Sequence, residues 1–184
     1  MSKFFGYLTL ATAITLAMAV AARAAKLMLS SPTIIEGGIV PNAHVYNGYG
    51  YTGENRSPQL TWTGAPSGTK SFAVTMHDPD APKAGGWWHW LVLDIPANAE
   101  GLPEDAGSGR GLPAGAVQSL TDFQTTGYSG PAPPPGKAHR YVYTVYALKT
   151  AKLGLSAADP PAKVDEAIRH HAIAQASIAA KFGK

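Results

Sequence analysis

No cysteine occurs in the 184 residues. Disulfide stapling and a thiol nucleophile are therefore both excluded. Runs of Lys or Arg that could track a phosphate backbone are also missing, which argues against a nucleic-acid partner. Beyond the first 24 residues there is no apolar stretch of membrane-spanning length. The nucleophile elbow G-x-S-x-G and the zinc-helix pattern H-E-x-x-H are absent, so the common hydrolase signatures do not apply. Charged residues make up only 15% of the chain, and the formal charge is +3. Lys3 and Arg23 contribute two of those charges. Without them the balance is +1, too small for the partner class to be read from it.

What is present begins with a leader. Lys3 is followed by a mostly apolar run from Phe4 to Val20 and by Ala22-Arg23-Ala24, an A-x-A cleavage signal. That is the layout of a secretory signal peptide over residues 1–24, with a periplasmic or secreted mature chain and no stable membrane span after cleavage; the alternative is a retained membrane anchor, since about 17 largely apolar residues approach the length of a bilayer span. Residues 25–184, about 160 positions, suit one domain that can bury a core without staples.

The body of the chain reads as mainly β. "SFAVTMHD" (71–78) alternates Phe72, Val74 and Met76 on one face. "WWHWLVLDIP" (87–96) and "HRYVYTVYAL" (139–148) are apolar on both faces, as central strands are. A shorter strand is expected within 59–64. Gly- and Pro-rich stretches at 101–115 and 127–137 read as ordered, stiff loops, in keeping with 15 prolines. Helical character is confined to the C-terminus. Asp159 is placed to cap, Pro160 and Pro161 suit the first turn, and Val164, Ile168, Ala172, Ile178, Ala179 and Phe182 share one side of a helical wheel. The expectation is one amphipathic helix from about 160 to 182. "GYGYTG" (48–53) matches a dinucleotide fingerprint, but neither a strand before it nor a helix after it is readable, so the match carries no such function.

The chemistry concentrates in "HDPDAPKAGGWWHW" (77–90). Asp78 and Asp80 follow directly on a strand, in a turn stiffened by Pro79 and Pro82. His89 opens the next strand, and alternation puts it on the face of Trp87, Leu91 and Leu93. His139 opens the last long strand, on the face of Tyr141. If these strands are neighbours, Asp78, His89, His139 and Tyr141 meet at one end of the sheet. A lone histidine at a strand end is commonly a satisfied structural group. Two imidazoles and two carboxylates at one β mouth are costly unless something uses them.

"SPQLTWTGAPSGTKSFAVTMHDPDAP", "GWWHWLVLDIPA" and "TDFQTTGYSGPAPPPGKAHRYVYTVYAL" closely resemble the phosphatidylethanolamine-binding protein family, and more narrowly its bacterial Raf-kinase-inhibitor-like branch. The resemblance runs from about Lys26 to Phe182, and D-P-D-A-P and G-x-x-H-R are its signatures. It implies a PEBP-like fold, mainly β, with a large antiparallel sheet, a smaller sheet and a C-terminal helix. It also implies a pocket for small anions such as phosphate or the phosphoethanolamine head. Carried over position by position, that pocket comprises Asp78, Asp80, Pro82, Trp87, His89, Tyr128, Gly130, Ala132, His139 and Tyr141. Asp78 is expected to orient one imidazole and raise its pKa, so that the cation donates to the anion. Trp87 is expected to face a ligand ammonium. No cofactor, metal or catalytic residue is implied. Alternative readings are an inhibitor or interaction protein acting on a peptidase, kinase or cell-envelope partner, and a phosphomonoester hydrolase, for which no nucleophile is evident.

Overall fold

The computed structural model describes residues 26–183; the expected signal peptide, residues 1–24, lies outside the described residues. Ten strands and one α-helix follow in the order β1 (Met28–Ser30), β2 (Asn47–Gly48), β3 (Tyr51–Thr52), β4 (Leu60–Thr63), β5 (Ser71–Asp78), β6 (Trp87–Pro96), β7 (Gly101–Leu102), β8 (Val117–Gln118), β9 (His139–Leu148), α1 (Pro161–His171) and β10 (Ala172–Phe182). An antiparallel five-stranded sheet in the order β10-β9-β5-β6-β8 forms the centre, with a three-stranded sheet β1-β4-β7 and the hairpin β2-β3 beside it. The alternating run 71–78 and the two long apolar runs become β5, β6 and β9 with the expected bounds. They sit inside the large sheet, which explains why both of their faces are apolar.

One face of the large sheet packs against the small sheet, where Val74, Met76, Trp90, Val92 and Tyr143 meet Leu29, Leu60 and Trp62. The opposite face is covered by α1 through Val164 and Ile168, against Ala73, Leu91, Leu93 and Leu148. The result is a mainly β domain with one buried layer on each side of its principal sheet.

The C-terminus departs from the expectation of a single helix. α1 ends at His171, and residues 172–182 pair antiparallel with β9 from Ala172↔Leu148 to Phe182↔His139. Alanine is the reason both periods fit. Positions 172, 174, 176, 178, 180 and 182 are all apolar, a period of two, yet alanine also favours a helix and blurs the distinction. The unpaired edge of β9 decides the outcome, since ten residues of backbone donors and acceptors are satisfied only by a neighbouring strand. Asp159 does not cap the helix either. Its carboxylate accepts from the Ser156 amide (2.7 Å) and from Lys163 Nζ (2.6 Å), while Pro160 holds the N-cap position without a side-chain bond.

Candidate functional site

A bulge aims the first histidine. Along the β5–β6 pair, Met76 faces Trp90 and His77 faces Trp88, so His89 is the extra residue of β6. An inserted residue reverses the alternation beyond it. Trp87 and His89 therefore share a side as expected, whereas Leu91 and Leu93 turn to the helix-covered face. His89 packs edge-on against the ring of Tyr141, centroids 5.2 Å apart, on the side away from α1. Its backbone carbonyl accepts from the Ser129 amide (3.0 Å), which brings the 127–134 loop against the strand.

Asp78 ends β5 and His139 begins β9, its neighbour. His139 Nδ1–H donates to Asp78 Oδ2 at 2.7 Å, with both side chains almost fully buried (4% and 3% exposed). Asp78 Oδ1 accepts from the Asp80 amide at 2.9 Å, an Asx turn that fixes the carboxylate. His89 Nδ1–H donates to the Ser129 carbonyl at 2.7 Å. Both imidazoles thus commit Nδ1 to the protein and keep Nε2 for whatever the site receives. Two further donors, Trp87 Nε1–H and the Tyr141 hydroxyl, are buried without a hydrogen-bond partner in the protein. Unpaired buried donors cost about 1–3 kcal/mol each, so they are rarely kept without use.

The imidazole that Asp78 orients is His139; His89, held by Ser129 instead, is the ring whose protonation state burial sets. Burial outweighs the pull of the Ser129 carbonyl and of the Asp78 charge, and holds the His89 pKa at about 4. His89 is therefore neutral near pH 7, with Nε2 an acceptor. Burial first, and then the Asp78 charge, push the Tyr141 hydroxyl well up, so it remains a donor.

These groups line one cavity of about 260 Å³. Of the ten positions that the family resemblance implies, Asp78, Pro82, Trp87, His89, Ala132, His139 and Tyr141 border it. Three expected residues do not. Asp80 faces Arg140, which binds it through Nε (2.9 Å) and Nη2 (2.8 Å), and this guanidinium holds its carboxyl far below the usual range. Tyr128 is buried behind the site, its hydroxyl donating to the His44 carbonyl (2.9 Å) and lying 3.1 Å from Tyr143 Oη. The Gly130 amide is already spent on Asn55 Oδ1 (2.8 Å). Gly130 is glycine for space: a Cβ there would lie 2.2 Å from the His44 carbonyl oxygen.

Several positions in and behind the lining were not foreseen. Tyr49, Ala81, Phe123, Pro133 and Pro134 complete the lining. Asn55 stands behind it, accepting from the Gly130 amide and donating to the Tyr128 carbonyl (3.2 Å). It thereby brackets Ser129, whose carbonyl sets the His89 tautomer. Asp122 accepts from the Trp88 amide (2.8 Å) and pairs with Lys83, carrying Phe123 to the cavity wall. Lys83 Nζ in turn lies 5.5 Å from the Trp87 ring centre, so that ring already has a cation. The one signal for these residues was the aromatic content of "GYGYTG" and "TDFQ", which has no spacing rule.

Larger clefts exist, such as one of about 520 Å³ between residues 83–86 and the start of α1. Its charges are mutually paired as Lys83–Asp122 and Arg169–Asp165. Chemistry rather than size therefore singles out the smaller cavity. Among the described residues, no group of three or more His, Cys, Asp or Glu is arranged to hold a metal ion. Nor is any described helix long and apolar enough to cross a membrane.

A mainly β domain with a polar-floored cavity at one end of its central strands is the class that this fold and site define. The model of the phosphatidylethanolamine-binding protein family matches residues 30–183. The chain is 46% identical over 155 residues to the UPF0098 protein YbhB of Escherichia coli K12, covering 84% of this chain and 98% of that protein. It is 47% identical over 160 residues to the UPF0098 protein YbcL of the same organism, covering 85% and 87%. The crystal structure of E. coli YbcL, described as a new member of the mammalian PEBP family, superposes with a TM-score of 0.85 over 87% of this chain and 99% of that one. This chain belongs to the phosphatidylethanolamine-binding protein family. Neither the family nor these two relatives carry an enzyme's name.

Proposed function

We propose that this protein is an exported binding protein whose cavity takes a small anion, of the size and charge of phosphate or a phosphate-ester head group. One observation carries the reading: two buried donors without a protein partner, Trp87 Nε1–H and Tyr141 O–H, border the same cavity as His89 and His139. A tetrahedral anion offers several acceptor oxygens and meets such a set with charge-assisted hydrogen bonds. With Nδ1–H of His89 held by Ser129, the neutral ring presents a lone pair at Nε2. An anion oxygen can lie there only with a proton between them, supplied by solvent or by the P–OH of the ligand. Binding is therefore coupled to one proton.

Binding rather than turnover fits the same geometry. Asp78 is engaged on both oxygens, by His139 and by the Asp80 amide, and the Tyr141 hydroxyl is held protonated by burial and by the Asp78 charge, a donor rather than a nucleophile. The leader of residues 1–24 supports export. Isothermal titration of the purified protein with inorganic phosphate tests the proposal. Saturable one-site binding that weakens at least tenfold in Trp87→Phe and in Tyr141→Phe is the expected result. Heats indistinguishable from dilution at millimolar phosphate would remove it.

A further inference from the structure

The hairpin that edges the cavity carries an unusual residue. β2 and β3 pair Gly48 with Tyr51, so the loop between them is Tyr49-Gly50 alone. Both have positive φ, 52° for Tyr49 and 87° for Gly50. Two-residue hairpin loops with both φ positive strongly prefer Asn, Asp or Gly at the first place, because a Cβ and a bulky ring are crowded there. A tyrosine at that place costs backbone strain of a kind that persists where function uses it. The residue is also 77% exposed, the most exposed large apolar residue among those described.

That ring extends a wall. Tyr49 stacks on Phe123, centroids 6.1 Å apart and planes 19° apart, and Tyr46 backs both rings at 5.5 and 5.1 Å. Phe123 meets Trp87 and His89 edge-on at 5.5 and 5.2 Å. The wall therefore runs unbroken from the solvent-facing Tyr49 to the donors at the cavity floor. At about 30 Å³ per water, the cavity holds roughly nine water volumes, more than the few heavy atoms of a phosphate fill. The remaining space lies beside aromatic faces. The charge pattern disfavours a cationic tail, since Lys83 sits over the Trp87 ring and Asp78 is already committed.

Resting on the anion reading above, we propose that Tyr49 and Phe123 make this cavity selective for anions that carry a planar aromatic group, with aryl phosphate monoesters as the ligand class. Tyr49 is the specificity-determining residue, and its strained backbone is the cost of presenting a flat ring at the mouth.

Titration calorimetry with phenyl phosphate, methyl phosphate and phosphoethanolamine tests this on the wild-type protein, Tyr49→Ala and Tyr49→Asn. Wild type is expected to bind phenyl phosphate about tenfold tighter than either other ester, the scale of one aromatic contact. In both variants the phenyl-over-methyl ratio falls to within about threefold of one. Tyr49→Asn, which suits the turn better, unfolds at a higher temperature than wild type, so a loss of preference there cannot come from a damaged fold. Equal affinity of wild type for phenyl and methyl phosphate overturns the inference while leaving the anion site standing. So does an unchanged ratio in Tyr49→Asn. If no ester binds at all, the anion reading falls, and this inference with it.

Discussion

Proton coupling at His89 makes a quantitative prediction about pH. In the free protein the ring is neutral above about pH 4, because burial disfavours its cation. The complex holds one proton between Nε2 and the ligand oxygen. A phosphate monoester loses its own last proton near pH 6. Between about pH 4 and 6 the ligand brings that proton, so affinity is nearly flat. Above about pH 6 the proton must come from solvent, and affinity falls about tenfold per pH unit. From pH 6 to pH 8 the loss is about 100-fold, or about 2.7 kcal/mol at 1.36 kcal/mol per unit. Calorimetry with methyl phosphate in two buffers of different ionisation enthalpy counts the proton directly, and one taken up per anion is expected at pH 7.5. His89→Gln, which offers a neutral donor needing no added proton, flattens the profile. Zero proton uptake together with constant affinity from pH 6 to 8 refutes the reasoning.

The same ring governs acid stability. Its folded pKa of about 4 lies below the unfolded 6.5, so the unfolded chain binds the proton more readily between those values. Stability is complete above about pH 6.5 and falls by up to about 3 kcal/mol on the way down to pH 4; buried His44, shifted down by burial as well, acts in the same direction. Urea unfolding at pH 7 and pH 4 measures this, and an equal loss in His89→Gln would clear His89 of the role. Asn55→Ala removes both side-chain bonds around Ser129 and is expected to cost about 2–4 kcal/mol. Long-range ¹⁵N spectra should then show His89 as mixed tautomers; a retained pure Nδ1–H form would mean Ser129 holds the ring unaided. Gly130→Ala places a Cβ against the His44 carbonyl and the Tyr46 amide, backbone groups that cannot yield, and is expected to leave little soluble folded protein. Asp80→Ala, by contrast, removes an exposed pair with Arg140 outside the cavity and should leave phosphate affinity within about threefold by calorimetry.

β6 and β9 were legible because a strand covered on both faces must be apolar throughout, and β5 through the alternation of Phe72, Val74 and Met76; each was read with its observed bounds. The C-terminal strand was not, because alternating alanines satisfy a helical wheel as well as a two-residue period, and only the free edge of β9 separates them. At the site, Asp78, His89, His139 and Tyr141 could be brought together from strand ends alone, since neighbouring antiparallel strands place start beside end. The facing of Leu91 and Leu93 was misread because a bulge leaves no mark in composition. Tyr128, Gly130 and Asp80 are close to the cavity in sequence order but spend their polar groups elsewhere, which only the partners Tyr143, Asn55 and Arg140 reveal. Tyr49 and Phe123 reach the wall through loop geometry, and no periodicity reports that.

The central claim, that this cavity receives a small anion, is tested most directly by following the indole N–H of Trp87 and the two imidazoles of His89 and His139 by NMR while inorganic phosphate is added. The account predicts that all three move together and saturate with one dissociation constant, and that the Trp87 N–H proton shifts downfield as it gains an acceptor. If these signals stay in place at millimolar phosphate while the protein remains folded, the cavity does not take the anion.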